Sequence, residues 1–224
     1  MKKNMILYVM ILLAAAGIVY SIRMFDKAFP IVNVEITADK HDILKKADSL
    51  TQALGLMEGK YRSVVRFDTD EHFKNYTELE GGGIEVFQDI IAEKQYHPYT
   101  WVVRQFNINE VPELSYTFSP DGVFLGFVKV LPDTLSGRDI TKFDVRDIFL
   151  RSDALAGLLP DVSVYDLIEE SSELKEGGRR DHVFTFERHE GGPGDARYRM
   201  RIGVSGDMLT MIRQEVKIPE AFEH

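Results

Sequence analysis

Apolar and polar positions follow two different regimes along this chain. From Met5 to Tyr20 the side chains are overwhelmingly apolar, and no charge occurs between Lys3 and Arg23. As a helix, the uncharged stretch from Asn4 to Ile22 would be roughly 28 Å long, against a bilayer core of about 30 Å. No polar face interrupts it, which argues against a core helix of a globular domain. Two readings stay open. One is a transmembrane anchor over residues 1–27. The other is a cleaved secretory signal, with an apolar core from Met5 to Leu13 and Ala14-Ala15-Ala16-Gly17 as the small-residue cleavage site. Continuation of the run through Ile18 and Val19 favours the anchor. Lys2 and Lys3 argue for a cytoplasmic N-terminus, against Arg23 and Lys27 on the other flank; the anchor and signal readings both send the bulk of the chain to the extracytoplasmic side of the cell membrane.

Beyond the anchor the pattern breaks into short elements. Ile31, Val32, Val34 and Ile36 predict a short strand. Ile43, Ala47, Leu50 and Leu54 recur at helical spacing, with Thr37 or Asp39 to cap that helix and Gly55 to stop it. Tyr61 to Phe67 reads as a strand. Gly81-Gly82-Gly83 breaks the chain before a helix from Ile84 to about Glu93, which presents Val86, Phe87, Ile90 and Ile91. A meander follows: Tyr99–Phe106, Leu114–Phe118, a Ser119-Pro120-Asp121-Gly122 turn, and Val123–Leu131, closed by Pro132.

The second half repeats the plan. A helix is expected from Asp144 to Leu159, carrying Val145, Ile148, Phe149, Leu155 and Leu158. Strands are expected at Val162–Glu169, His182–Arg188, Arg197–Val204 and Met208–Ile218. The two closing hairpins share an Asp/Gly turn and a Val-Lys step shortly before proline, at Val128-Lys129 and Val216-Lys217. Their spacing of about 87 residues suggests an internal duplication. The expected fold is therefore α+β: an N-terminal transmembrane helix, then two helix-on-antiparallel-sheet units of PepSY- or cystatin-like kind, over residues 28–132 and 133–224.

Composition narrows the function. The chain is 44% hydrophobic and 28% charged, a globular balance, and its net charge of −9 argues against a nucleic-acid partner. With no cysteine, disulfides, thiolate metal sites and a cysteine nucleophile are all excluded. Six histidines are present (His41, His72, His97, His182, His189 and His224), but none has zinc-ligand spacing. There is no Gly-x-Ser-x-Gly elbow, and no Gly-Lys-Ser/Thr follows the triple glycine. Glu169-Glu170 could in principle hold a metal or activate water, but the polar run around it reads as a solvated edge. No catalytic, metal or cofactor residue is assigned. The candidate partner-binding face is Arg197, Arg199 and Arg201, which alternate with Tyr198, Met200 and Ile202 and so share one side of a strand. A carboxylate-rich partner or lipid headgroups would suit them. Trp101, the single tryptophan, is added to that face, although a core anchor is its simpler role.

Several segments carry a resemblance. They are Phe29-Pro-Ile-Val32, Tyr76-Thr-Glu-Leu-Glu-Gly-Gly-Gly83, Pro98-Tyr-Thr-Trp-Val-Val-Arg-Gln-Phe106, Phe118-Ser-Pro-Asp-Gly122, Gly178-Arg-Arg-Asp-His-Val-Phe-Thr-Phe-Glu-Arg188, Ala196-Arg-Tyr-Arg-Met-Arg201, Val204-Ser-Gly-Asp-Met-Leu209 and Lys217-Ile-Pro-Glu-Ala-Phe222. Together they resemble the N-terminal extracytoplasmic region of bacterial CPBP (CAAX-protease-like) family intramembrane metalloproteases. The protease domain of that family carries Glu-Glu-x-x-x-Arg and histidine motifs on several membrane helices. Here Leu174 stands where Glu169-Glu170 would require arginine, and no second long apolar run exists. No catalytic residue carries over. The resemblance implies a non-catalytic sensor or substrate-presenting domain with a protein or peptide partner, expected to be a fragment of a larger protein. The alternative is a stand-alone PepSY-like binding or inhibitory module.

Overall fold

The computed structural model describes residues 2–28, 31, 34–108, 113–141 and 161–222. Helix α1 (Lys2–Ala28) contains a span, Met5–Phe25, that is long and apolar enough to cross a membrane, and none of that span is buried against the rest of the chain. A signal sequence fits the same description. The remainder is α+β, as expected: helices α2 (Lys40–Leu54), α3 (Glu71–Leu79) and α4 (Ile84–Ala92) accompany eight strands. The strands are β1 (Arg62–Thr69), β2 (Tyr99–Phe106), β3 (Glu113–Phe118), β4 (Phe124–Val130), β5 (Tyr165–Leu174), β6 (Arg180–Arg188), β7 (Arg197–Ser205) and β8 (Met208–Lys217).

All eight strands form one antiparallel sheet in the order β1-β2-β3-β4-β8-β7-β6-β5. Two four-stranded meanders thus meet edge to edge, last strand against last strand. The seam is short: Phe127 pairs with Ile212 and Val128 with Met211. These partners lie nearly one hairpin repeat apart in sequence, so the two similar hairpins face each other across the seam. A duplicated unit joined about a two-fold would be arranged in this way.

Local chemistry explains the elements. Asp39 caps α2, its carboxylate accepting from the His41 and Asp42 amides at 2.7 and 2.9 Å. Gly55 ends the helix in the left-handed region at φ 60°. The buried stripe Ile43, Ala47 and Thr51 covers Val103, Leu114, Tyr116, Phe118, Phe127 and Ile212 on one sheet face. Beneath it lies a closed polar network. The Thr51 hydroxyl meets Gln105 Oε1 at 2.6 Å and the Tyr116 hydroxyl at 2.9 Å, and Gln105 Nε2 donates to Asp48 at 2.9 Å. Burial pushes the Tyr116 phenol up to about 12.

A second cluster, Phe73, Tyr76, Phe87, Ile90, Tyr99, Ala196 and Ile218, packs under α3 and α4. That helix pair is inserted between β1 and β2. Between β5 and β6 the chain instead turns back within Lys175–Arg179, where the Lys175 amide donates to the Arg179 carbonyl at 2.7 Å.

Three expectations need correction. Residues 34–37 are not a strand; they run irregularly, with the Val34 amide bonded to the Ile31 carbonyl at 3.1 Å and Val34 packed on the second cluster. Helix α3 lies in a stretch where no helix was expected. It is nine residues long and polar on its outer side, but Asp70 caps it and Phe73, Tyr76 and Thr77 give it a buried stripe. Strand β5 starts and ends later than Val162–Glu169, because Val162–Val164 is a 3-10 turn and the polar half of the strand is the sheet's edge. The helix expected at 144–159 lies outside the described residues.

Candidate functional site

The sheet has one covered face and one polar face. Register alone fixes which residues share each. Val103, Tyr116, Phe127, Ile212, Ile202 and Phe184 form a continuous cross-strand row on the covered face. Their sequence neighbours point the other way. Across the middle of the polar face the rows are Arg66, Val102, Thr117 and Gly126 on the first meander, and Arg213, Arg201, Thr185 and Glu169 on the second.

The three arginines of β7 are brought together on this polar face, while Tyr198, Met200 and Ile202 are buried on the other. Their surroundings differ. Arg199 is answered by Glu187 of β6, with Nε and Nη2 at 3.0 and 2.9 Å from one carboxylate oxygen. Arg197 is exposed and reaches the same carboxylate at 3.9 Å. Arg201 lies between Thr185 and Arg213. Pairs elsewhere on this face also match charge, Arg66 with Asp68 at 2.7 Å and Arg104 with Glu113.

Trp101 does not belong to this face. Its parity on β2 is that of Val103, so it lies on the covered side, packed against the cluster under α2 and edge-on to Phe67 at 5.0 Å between centroids. The alternation was legible from the sequence, but which parity faced the helix was not, because Val102 and Val103 are equally apolar.

A trough of about 290 Å³ lies on the polar face, running from β1 and β2 across to the β4–β8 seam. Thr100, Val102, Ser115, Thr117, Gly126, Val128 and Arg213 line it, with Asp68, Asp70, Tyr96 and His97 towards one end. Glycine at 126 is compulsory: a Cβ there would stand 2.2 Å from the Ile212 carbonyl oxygen. At the end of the trough Tyr96 donates to Asp70 at 2.8 Å, and its phenol is held well above its ordinary range by burial and then by that carboxylate. Burial lowers the His97 pKa, favouring the neutral ring. The sequence reading did not find this trough. Its only signal was a glycine inside a predicted strand, which often marks close backbone approach.

The other histidines are dispersed. His182 is buried on the covered face, bonded to the Ile140 carbonyl at 2.9 Å and stacked on Phe184. His189 is exposed and 3.2 Å from Asp166. His41 sits at the start of α2, and His72 packs on Phe222. His224 lies outside the described residues. Glu169 and Glu170 are exposed on edge strand β5, on opposite faces. Among the described residues no group of three His, Asp or Glu side chains is placed to hold a metal ion. The chemistry available on the polar face is charge recognition: guanidinium forks, hydroxyls and a shallow groove.

No family model matches this chain, and comparisons with curated proteins and with solved structures return no match.

Proposed function

We propose that this chain is a membrane-tethered, non-catalytic extracytoplasmic domain that holds a protein or peptide partner on the polar face of its sheet. The observation that carries this reading is the division of labour between α1 and the sheet. The Met5–Phe25 span is apolar over a bilayer's thickness and has no residue buried against the rest of the chain, and the sheet turns a grooved, arginine-bearing face away from its own helices. The finer proposal, supported by the sequence resemblance alone, is that the domain serves a CPBP-type intramembrane protease as sensor or substrate presenter. The second reading is a stand-alone PepSY-like binding or inhibitory module. It is favoured by the two main hydrophobic clusters, each of which draws residues from both meanders and so binds them into one body.

The test is the intact mass of the native protein extracted from its own membranes. A mass far above 25.6 kDa means the chain continues, as the protease-linked proposal expects. A mass of 25.6 kDa overturns that proposal and leaves an anchored stand-alone module. A mass lower by about sixteen residues identifies a cleaved signal and overturns the tether as well.

A further inference from the structure

On the polar face Arg66, Arg104, Arg197, Arg199 and Arg213 each meet a carboxylate, but Arg201 meets none among the described residues. Arg201 of β7 lies directly across from Arg213 of β8, and like charges in that relation repel. The carboxylate paired with Arg213 is Glu215 on its own strand, with Nε 3.7 Å away. Arg201 has Thr185 as its other lateral neighbour and makes no ion pair or hydrogen bond with any described residue. Beside Arg213 the floor drops away at Gly126, where the closeness of the Ile212 carbonyl forbids any side chain, and the small hydroxyls of Ser115 and Thr117 continue the depression. Arg201, without a carboxylate partner among the described residues, thus stands beside Arg213 at the edge of a groove that Arg213 lines and that backbone bounds at Gly126.

We propose that Arg201 and Arg213 bind a carboxylate of an acidic peptide laid in the trough over Gly126, with the Ser115 and Thr117 hydroxyls contacting the rest of the peptide. This rests on the reading of the domain as a partner-holding one and narrows it to a ligand chemistry. Two guanidinium forks suit an oxyanion. A peptide suits the groove better than a bare ion, because Val102 and Val128 also line it and an inorganic anion would leave them uncovered. A carboxylate suits the charge better than a phosphate group. Asp68 and Asp70 at the end of the trough, with Glu215 beside Arg213, repel a doubly charged group more strongly than a singly charged one.

The unliganded pair costs stability that the ligand recovers, and this separates a binding role from a structural one. The test uses the full chain in lipid nanodiscs and a glutamate-containing peptide, acetylated and amidated at its ends. Binding is expected to weaken with salt. It should fall about tenfold or more in both Arg201→Gln and Arg213→Gln, as expected for loss of a charge-assisted contact, and should vanish for the glutamine counterpart of the peptide. The free Arg201→Gln protein is expected to melt at a higher temperature than the parent. Equal binding of the glutamine peptide overturns the proposal. So does unchanged affinity in the variants, a lowered melting temperature in free Arg201→Gln, or competition by inorganic phosphate or phosphatidylglycerol vesicles as strong as that of the peptide. Each of those outcomes leaves the tethered-domain reading in place, because that reading is tested by mass and membrane topology.

Discussion

Gly126→Val should weaken the protein by about 3 kcal/mol or more, the upper end of overpacking penalties, and the loss should fall on the joint between the two meanders. A new Cβ would stand 2.2 Å from the Ile212 carbonyl oxygen and 3.0 Å from its carbon. The obstacle is backbone, so no rotamer change relieves it. The seam has two register pairs, so pushing β4 from β8 breaks the backbone pairing that makes the two meanders one sheet. Gly126→Ala tests the same point from the other direction. In an ordinary strand, alanine for glycine gains about 0.5–1 kcal/mol through the unfolded chain; here it should lose stability. Urea unfolding of both variants checks this, and a raised midpoint for Gly126→Ala would show that the strands are not in close contact.

Arg179→Met should cost about 3–5 kcal/mol, the range for breaking a buried, hydrogen-bonded ion pair. Arg179 is 2% exposed. Its Nε and Nη2 reach the two oxygens of Asp181 at 2.7 and 3.1 Å, and its Nη1 donates to the carbonyls of Pro132 and Leu135, both at 3.1 Å. One side chain therefore ties the segment that leaves β4 to the turn that opens β6. Methionine keeps the volume but leaves a carboxylate and two carbonyls without their donor. Lysine should rescue only part of the loss, because a single ammonium cannot reproduce the fork. Thermal unfolding of both variants, read beside Asp181→Asn, measures the coupling. Additive losses in Arg179→Met and Asp181→Asn would show that the pair does not act as a unit.

Much of this architecture was legible in the sequence because the signals were local. The Met5–Tyr20 run, the Asp39 and Gly55 caps of α2, the Ser119–Gly122 turn and the alternation of β7 depend on neighbouring residues. What escaped depends on distant ones. Helix α3 has too short an apolar stripe to stand out until Ala196 and Ile218 pack on it from the far end of the chain. The polar half of β5 is a strand because β6 pairs with it, from Glu170 with Phe184 to Leu174 with Arg180, and no hydrophobic alternation marks it. The alternation of the β7 arginines is legible within their own strand, whereas their neighbour Arg213 lies on another strand and Trp101 lies on the covered side rather than with them. The position of Arg213 follows from register, a property of strand pairs that is invisible within a single strand; that of Trp101 follows from which parity of β2 faces α2, and packing decides that. The joining of two meanders into one sheet likewise rests on the β4–β8 seam and not on either meander alone.

The most direct measurement uses the absence of cysteine from the chain. Ser172 is exposed on edge strand β5, so Ser172→Cys supplies a single thiol on the sheet domain. Treating intact cells with a membrane-impermeant maleimide should label this position as fully as it is labelled after lysis. The labelled protein should stay with the membranes through an alkaline carbonate wash. Labelling only after lysis would place the domain on the cytoplasmic side, and release into the wash would show that α1 does not anchor it; either result would contradict a tethered extracytoplasmic domain.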